Sequence, residues 1–247
     1  MTSSLRGAGI KVVLLDIEGT TTPVSFVYNV LFPYARARLA SWLAARSPSD
    51  PDVREIVESL QRESASDGLG ALSSAPSPDD IVARLLAYMD QDRKSPALKM
   101  VQGRIWEEGY ADGTLTGEVY PDVPDAFARW TAGSLAVGIY SSGSVLAQKL
   151  LFAHSNAGDL TTFIRWHFDT AVGAKIDAAS YRRIVESVGV GAAAILFVSD
   201  VTRELDAARE AGMRTLLCVR PPALVAPTGF VVVRSFDEVE RALSPEP

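Results

Sequence analysis

The sequence predicts a doubly wound α/β fold: a parallel sheet with an α-helical block inserted after its first strand. Three observations carry this. Residues 11–16, KVVLLD, form an unbroken run of valine and leucine closed by an acid, the pattern of a strand buried on both faces of a parallel sheet. From about residue 26 to 110 apolar residues recur at three- and four-residue spacing, as in LFPYARARLASWL and IVARLLAYM, with no strand pattern. From about residue 116 onward strand and helix patterns alternate, the mark of βαβ units.

In order along the chain, the first strand is followed by a helical block in which Ser77-Pro78 and Ser95-Pro96 mark two helix starts. Each places a capping hydroxyl before a proline whose missing N–H costs nothing in the first turn. Between the early helices and these starts, SASDGLGALSSAPSPDD reads as a surface loop. After DGTLTGEVYPDVPD come a strand at 135–141 with a helix over SVLAQKLLFAH, and a helix over about 178–188. A strand at 194–199 then leads into a helix over 203–211. Strands at 213–219 and 229–233 and a closing helix near 237–243 complete the pattern. Residues 1–25 and 116–247 are thus expected to build a Rossmann-like core around the helical cap 26–115. In such sheets ligands lie beyond the carboxyl ends of the strands.

Composition narrows the partners. Hydrophobic residues at 47% and charged residues at 22% are those of an ordinary globular protein. A net charge of −6, with acids and bases interspersed, argues against nucleic acid and anionic membrane and leaves small molecules. Cys218 is the sole cysteine, which excludes an internal disulfide or multi-cysteine zinc site; its place in LLCV reads as a buried hydrophobe. No basic stretch followed by an apolar one opens the chain, and no apolar run reaches the ~18 residues of a membrane span, so a cytoplasmic location is expected.

The residues that follow the strands carry the chemistry. The first strand runs into Asp16-Ile17-Glu18-Gly19-Thr20-Thr21, two acids one residue apart with a glycine that lets the chain turn; solvated turn acids are the plain alternative. The strand at 135–141 ends in Ser141-Ser142-Gly143-Ser144, hydroxyls and amides at a helix start where phosphate is favoured, or simply a serine cap. Lys175 lies in a loop before a helix. The strand at 194–199 ends in Ser199-Asp200, with Glu204 one helical turn further on; whether Glu204 is functional or solvated stays open. Together these carboxylates, hydroxyls, amides and lysine are an inventory for phosphoryl transfer, and hard oxygen donors without clustered histidine or cysteine point to magnesium. His154 and His167 read as filler, and Trp106 and Tyr110 as core of the helical block. Which of Lys99, Gln102 and Arg104 faces a ligand is not readable.

These four segments, in this order, resemble the motifs of the haloacid dehalogenase superfamily. More narrowly, VVLLDIEGTTTPVSFVYNVLFPYA, YSSGSVLAQKLLFAHS, HFDTAVGAKIDAASYRRI and ILFVSDVTRELDAA resemble the enolase-phosphatase family of methionine salvage, with the DIEGTT form as its most specific mark. The resemblance implies an enzyme that enolises 2,3-diketo-5-methylthiopentyl-1-phosphate and then dephosphorylates it to an acireductone. It implies Asp16 as nucleophile and Glu18 as general acid and base. It further implies Ser141, Ser142 and Lys175 as phosphate ligands, and one Mg²⁺ per subunit on Asp16, Asp200 and Glu18, through either the backbone carbonyl or the side chain of Glu18. The cap would close as a lid, and a monomer is expected. A superfamily phosphatase for another small phosphate is the nearest alternative, and a non-catalytic phospholigand-binding module a more distant one. Many superfamily members carry glycine before the aspartate of the last motif; here that residue is Ser199.

Overall fold

The computed structural model describes residues 9–221 and 229–243. They divide into two compact units, Met1–Val24 with Thr116–Pro247, and Ser25–Leu115.

Strand β1 (Val12–Leu15) has every residue buried, as expected of a run with no polar side chain. The chain then enters the helical unit through α1 (Val24–Phe26), a π-helical turn (Val27–Leu31) and α2 (Phe32–Ala44). Helix α3 (Pro51–Ser64), α4 (Pro78–Asp90) and α5 (Pro96–Ala111) follow. Ser77 and Ser95 cap α4 and α5 as the Ser-Pro pairs predict; Ser77 accepts from Asp80 N–H while the Asp80 carboxylate accepts from Ser77 N–H. Asp50-Pro51 starts α3 in the same way. Trp106 and Tyr110 are buried inside this unit, and Trp106 Nε1 donates to the Leu31 carbonyl across 2.9 Å. The loop before α4 is more than a surface link. Asp67 within it accepts from Leu69 N–H, from the Tyr88 hydroxyl and from Arg84, which ties the loop onto α4.

Back in the first unit, α6 (Val123–Ala132), β2 (Ala136–Tyr140), α7 (Val145–Ala153), β3 (Ile164–Phe168) and α8 (Ala178–Val188) succeed one another. After them come β4 (Ile195–Ser199), α9 (Thr202–Glu210), β5 (Arg214–Cys218), β6 (Val232–Val233) and α10 (Phe236–Leu243). The six strands form one parallel sheet in the order β3-β2-β1-β4-β5-β6, so β1 lies inside it with β2 and β4 as neighbours. The expected strand at 229–233 shrinks to its last two residues, and β3 and α6 are additional to the elements read from sequence.

Alternation along the strands feeds two cores. On one side Leu14, Tyr140, Tyr181 and Phe197 pack, with Tyr181 edge-on to both Tyr140 (5.4 Å) and Phe197 (5.2 Å). A second cluster joins Phe127, Trp130, Phe152 and Phe236, with Trp130 and Phe236 centroids 5.1 Å apart. Cys218 is fully buried, and burial pushes its thiol up to about 12, consistent with an inert hydrophobe. Among the described residues no helix is long and apolar enough to cross a membrane.

The Asp67 cluster yields a prediction. Burial opposes ionisation there, but the bonds from Tyr88 and Leu69 N–H and the Arg84 bond and charge outweigh it and hold the carboxyl down at about 2, from 3.8. A depressed folded-state pKa gives stability that is fully present above the unfolded value and is lost as pH falls through the folded one. Asp67→Asn should therefore lower the unfolding free energy at pH 7 by ~1 kcal/mol for the weakened bonds, read from urea unfolding. The gap from wild type should close as pH falls from about 4 to about 2.

Candidate active site

The register of the sheet sets the site. Leu15 pairs with Ile139 on one side and Val198 on the other, so the residues that follow β1, β2 and β4 emerge side by side at the carboxyl edge. Asp16 N–H still bonds the Val198 carbonyl (3.0 Å), which fixes Asp16 against β4 before the chain turns. The turn is tight. The N–H groups of Thr20, Thr21 and Thr22 all point at the Ile17 carbonyl, and Gly19 N–H bonds the Thr22 carbonyl at 2.8 Å. Gly19 takes φ +69°, and a Cβ there would stand 2.1 Å from Asp200 Oδ2, so both backbone and space demand glycine.

Asp16 is 3% exposed. Its Oδ1 accepts from Ile17 N–H at 2.7 Å and from Lys175 Nζ at 2.6 Å, and its Oδ2 lies 3.4 Å from the Ser199 hydroxyl. Lys175 also pairs with Glu204 Oε2 at 2.7 Å, so one ammonium bridges two acids. The lysine is itself positioned: its carbonyl accepts from the Tyr181 hydroxyl at 2.7 Å, and Nζ stands 5.7 Å from the Tyr140 ring centroid. Burial alone would lower the lysine pKa, but the charges of Asp16 and Glu204 raise it, so the ammonium stays protonated.

Glu204 is thereby drawn into the cluster, which settles its position though the sequence left it open. It is 8% exposed and accepts the Ser199 hydroxyl at 3.0 Å. Ser199, where a glycine is common, also accepts Val201 N–H at 3.1 Å. Its hydroxyl thus couples Asp16, Glu204 and the start of α9. Asp200, against Gly19, has its pKa pushed up to about 7, by burial first and then by the Asp16 charge. Burial and Asp16 raise Glu204 likewise.

Ser141 and Ser142 follow β2. Ser141 is buried and its Oγ accepts Gly143 N–H at 3.1 Å, while Ser144 caps α7. Their loop is held by Gln148, whose Nε2 donates to the Gly143 and Phe168 carbonyls at 3.0 and 2.7 Å. His167 Nδ1 lies 3.2 Å from Gln148 Oε1; burial, then Lys149, lowers the imidazole to about 4, so it is neutral at pH 7 and supports the loop. Asp169 Oδ2 accepts Val145 N–H at the same helix start. Gln148 and Asp169 carry no signal in the sequence; they matter because of what folds against them.

Known proteins share this arrangement of segments. The haloacid dehalogenase-like hydrolase family matches residues 10–212. Enolase-phosphatase E1 of Klebsiella oxytoca is 50% identical over 211 residues, covering 85% of this chain and 89% of that protein. Its namesake in Synechococcus elongatus is 46% identical over 233 residues, covering 93% and 98%. The crystal structure of the UTR4 protein of Saccharomyces cerevisiae is similar at 33% identity and TM-score 0.78, covering 92% and 99%. A mutant of CbbY from Rhodobacter sphaeroides, solved in complex with xylulose-(1,5)bisphosphate, shares the fold at 17% identity and TM-score 0.55, covering 95% and 99%.

The raised carboxyl pKa values carry a pH signature. A group whose folded pKa exceeds its unfolded value stabilises fully below the unfolded pKa, and that contribution is lost as pH rises through the folded one. With cations chelated, the protein should lose stability as pH climbs from 3.8 through about 7, followed by urea unfolding. Asp200→Asn should make that loss shallower. An unchanged slope would mean that Asp200 is not a source of it.

Proposed function

The chain belongs to the haloacid dehalogenase-like hydrolases and, within them, to the enolase-phosphatase E1 family, and from that premise we propose how its residues divide the work of enolising and dephosphorylating 2,3-diketo-5-methylthiopentyl-1-phosphate in methionine salvage. The observation that carries the reading is the buried Asp16 carboxylate held by Lys175 at the end of β1.

Asp16 attacks phosphorus and becomes an aspartyl-phosphate, which divides one difficult hydrolysis into two displacements. Glu18, two residues on, gives a proton to the leaving oxygen and then takes one from the attacking water. Lys175, kept cationic by its two acids, binds phosphate oxygens and neutralises charge that builds on them. Ser141 and Ser142 offer hydroxyls and amides from a loop already fixed by Gln148. Glu204 holds Lys175 in place.

The donor set fits a small hard cation. Asp16, Asp200 and Glu204 against a single lysine leave excess negative charge, and the Asp16 and Asp200 carboxylates with the Glu18 carbonyl are all oxygen donors. Glu18 would be the third protein ligand, through its backbone carbonyl or its carboxylate. Mg²⁺ there supplies charge neutralisation on the transferring group. The reading includes a monomer working in the cytoplasm and a helical cap that selects the organic tail.

The test is an assay of the diketo phosphate with magnesium, following enol absorbance and free phosphate together. Wild type should give both. Asp16→Asn should lose phosphate release by several orders of magnitude, since an amide is no nucleophile. Given excess magnesium, it should still accumulate enol absorbance. No enol at saturating magnesium would mean that enolisation requires the Asp16 carboxylate, and this division of roles would fall.

A further inference from the structure

Arg220 stands just past β5 with its side chain only 6% exposed, and a buried charge of this kind is costly unless its donors are met. Two of its hydrogen bonds go to a single acceptor. Nε and one terminal nitrogen both donate to the Thr20 carbonyl, at 3.0 and 2.8 Å. The other terminal nitrogen pairs with Asp122 Oδ2 at 2.7 Å and reaches the Arg234 carbonyl at 3.5 Å. The rings of Tyr120 and Phe236 lie 4.3 and 4.7 Å from the guanidinium carbon. These partners are fixed in turn. Asp122 Oδ2 also accepts Phe236 N–H at 2.6 Å, and Tyr120 N–H bonds the Thr21 carbonyl at 2.9 Å.

Thr20 belongs to the turn that carries Glu18, whose residues share the Ile17 carbonyl and the Gly19–Thr22 bond and so move together. Asp16 touches the turn through Ile17 N–H and the Thr21 hydroxyl, but it has further holds that the turn lacks, on β4 and on Lys175. The planar fork of an arginine fixes an acceptor in a way that a lysine point charge does not. The geometry points to Arg220 as a positioning residue that sets the turn, and through it the Glu18 carboxyl, for proton transfer to the leaving oxygen. This rests on the role given to Glu18 above. In that step the Asp16 carboxylate supplies the electron pair of the new P–O bond, the old P–O bond breaks with its pair remaining on the leaving oxygen, and the Glu18 proton goes to that oxygen. Arg220 touches none of these atoms.

The experiment compares the rate of phosphoenzyme formation, by rapid quench of the full chain with magnesium, on two esters. Pentyl phosphate needs its leaving oxygen protonated and cannot enolise; p-nitrophenyl phosphate departs as a stable anion without a proton. Arg220→Gln should slow the pentyl ester by about 10²-fold, in keeping with the size of a general-acid contribution, and the nitrophenyl ester only slightly. Arg220→Lys, which keeps the charge beside Asp122 but not the fork, should show a smaller loss with the same selectivity, and serves alone if the glutamine variant does not fold. Equal losses on both esters, or none, in variants with wild-type unfolding midpoints would overturn the assignment. If wild type forms no phosphoenzyme from either ester or from the diketo phosphate run beside them, the functional reading falls and this inference with it.

Discussion

A single ammonium group between two buried carboxylates is the contact around which the site is organised. Lys175 reaches Asp16 at the end of β1 and Glu204 in the first turn of α9, so it joins three segments that are far apart in sequence. Its charge is tolerable in the interior only because both acids face it, and theirs only because it faces them. The surroundings serve to keep that geometry. Tyr181 pins the lysine backbone, the Tyr140 ring lies beneath the ammonium, and Ser199 ties the two acids to each other. Removing Lys175 would leave both carboxylates buried without their cation, and removing either acid would leave the ammonium with one partner, which explains why the cluster constrains so much of the sheet's carboxyl edge.

The parallel sheet supplies the rest by register. Because β1 is flanked by β2 and β4, the Asp16 turn, the serine loop and the Asp200 turn leave the sheet at one level. Each of these loops then has its own brace, Gln148 for the serines, Ser199 for the acids and, from far along the chain, Arg220 for the turn at Thr20. A phosphoryl-transfer site depends on placement more than on unusual chemistry, and displacements of about 1 Å cost rate heavily. The braces are where that placement is enforced.

This division also explains what the sequence could and could not tell. Asp16, Asp200 and the serines are legible because a strand-end position is a local pattern, and the Ser77 and Ser95 caps because Ser-Pro is a local signal. Strand β3 was not legible: it lies at the sheet's edge, with Arg165 exposed and His167 half-buried, and so lacks the unbroken apolar run that marks β1 and β4. Glu204 stayed ambiguous because its partner sits in another loop. Arg220 gave no signal at all. It follows an ordinary strand, and its worth comes from Thr20, two hundred residues earlier. The Ser199 substitution looked like a loss of glycine and is instead a gain of a hydroxyl that three neighbours use.

The same cluster sets the protein's stability against its chemistry. Three acids and one lysine in a half-dry site do not balance, and the pKa values of Asp200 and Glu204 are raised by burial first and by the Asp16 charge next. A fold selected for stability alone would neutralise or remove one of these carboxylates. Retaining them leaves a concentration of negative charge at the point where, on the proposed reading, the anionic phosphoryl group would be approached by the Asp16 carboxylate. Such an encounter is repulsive unless positive charge joins it, and Lys175 is already engaged by two acids. On the proposed reading a bound cation would resolve two problems at once: it would relieve the acids and make attack on the anionic ester electrostatically possible. The unfavourable charge gathered here would make the cation's arrival favourable, so on this reading the site's instability and its capacity for phosphoryl transfer have one physical origin.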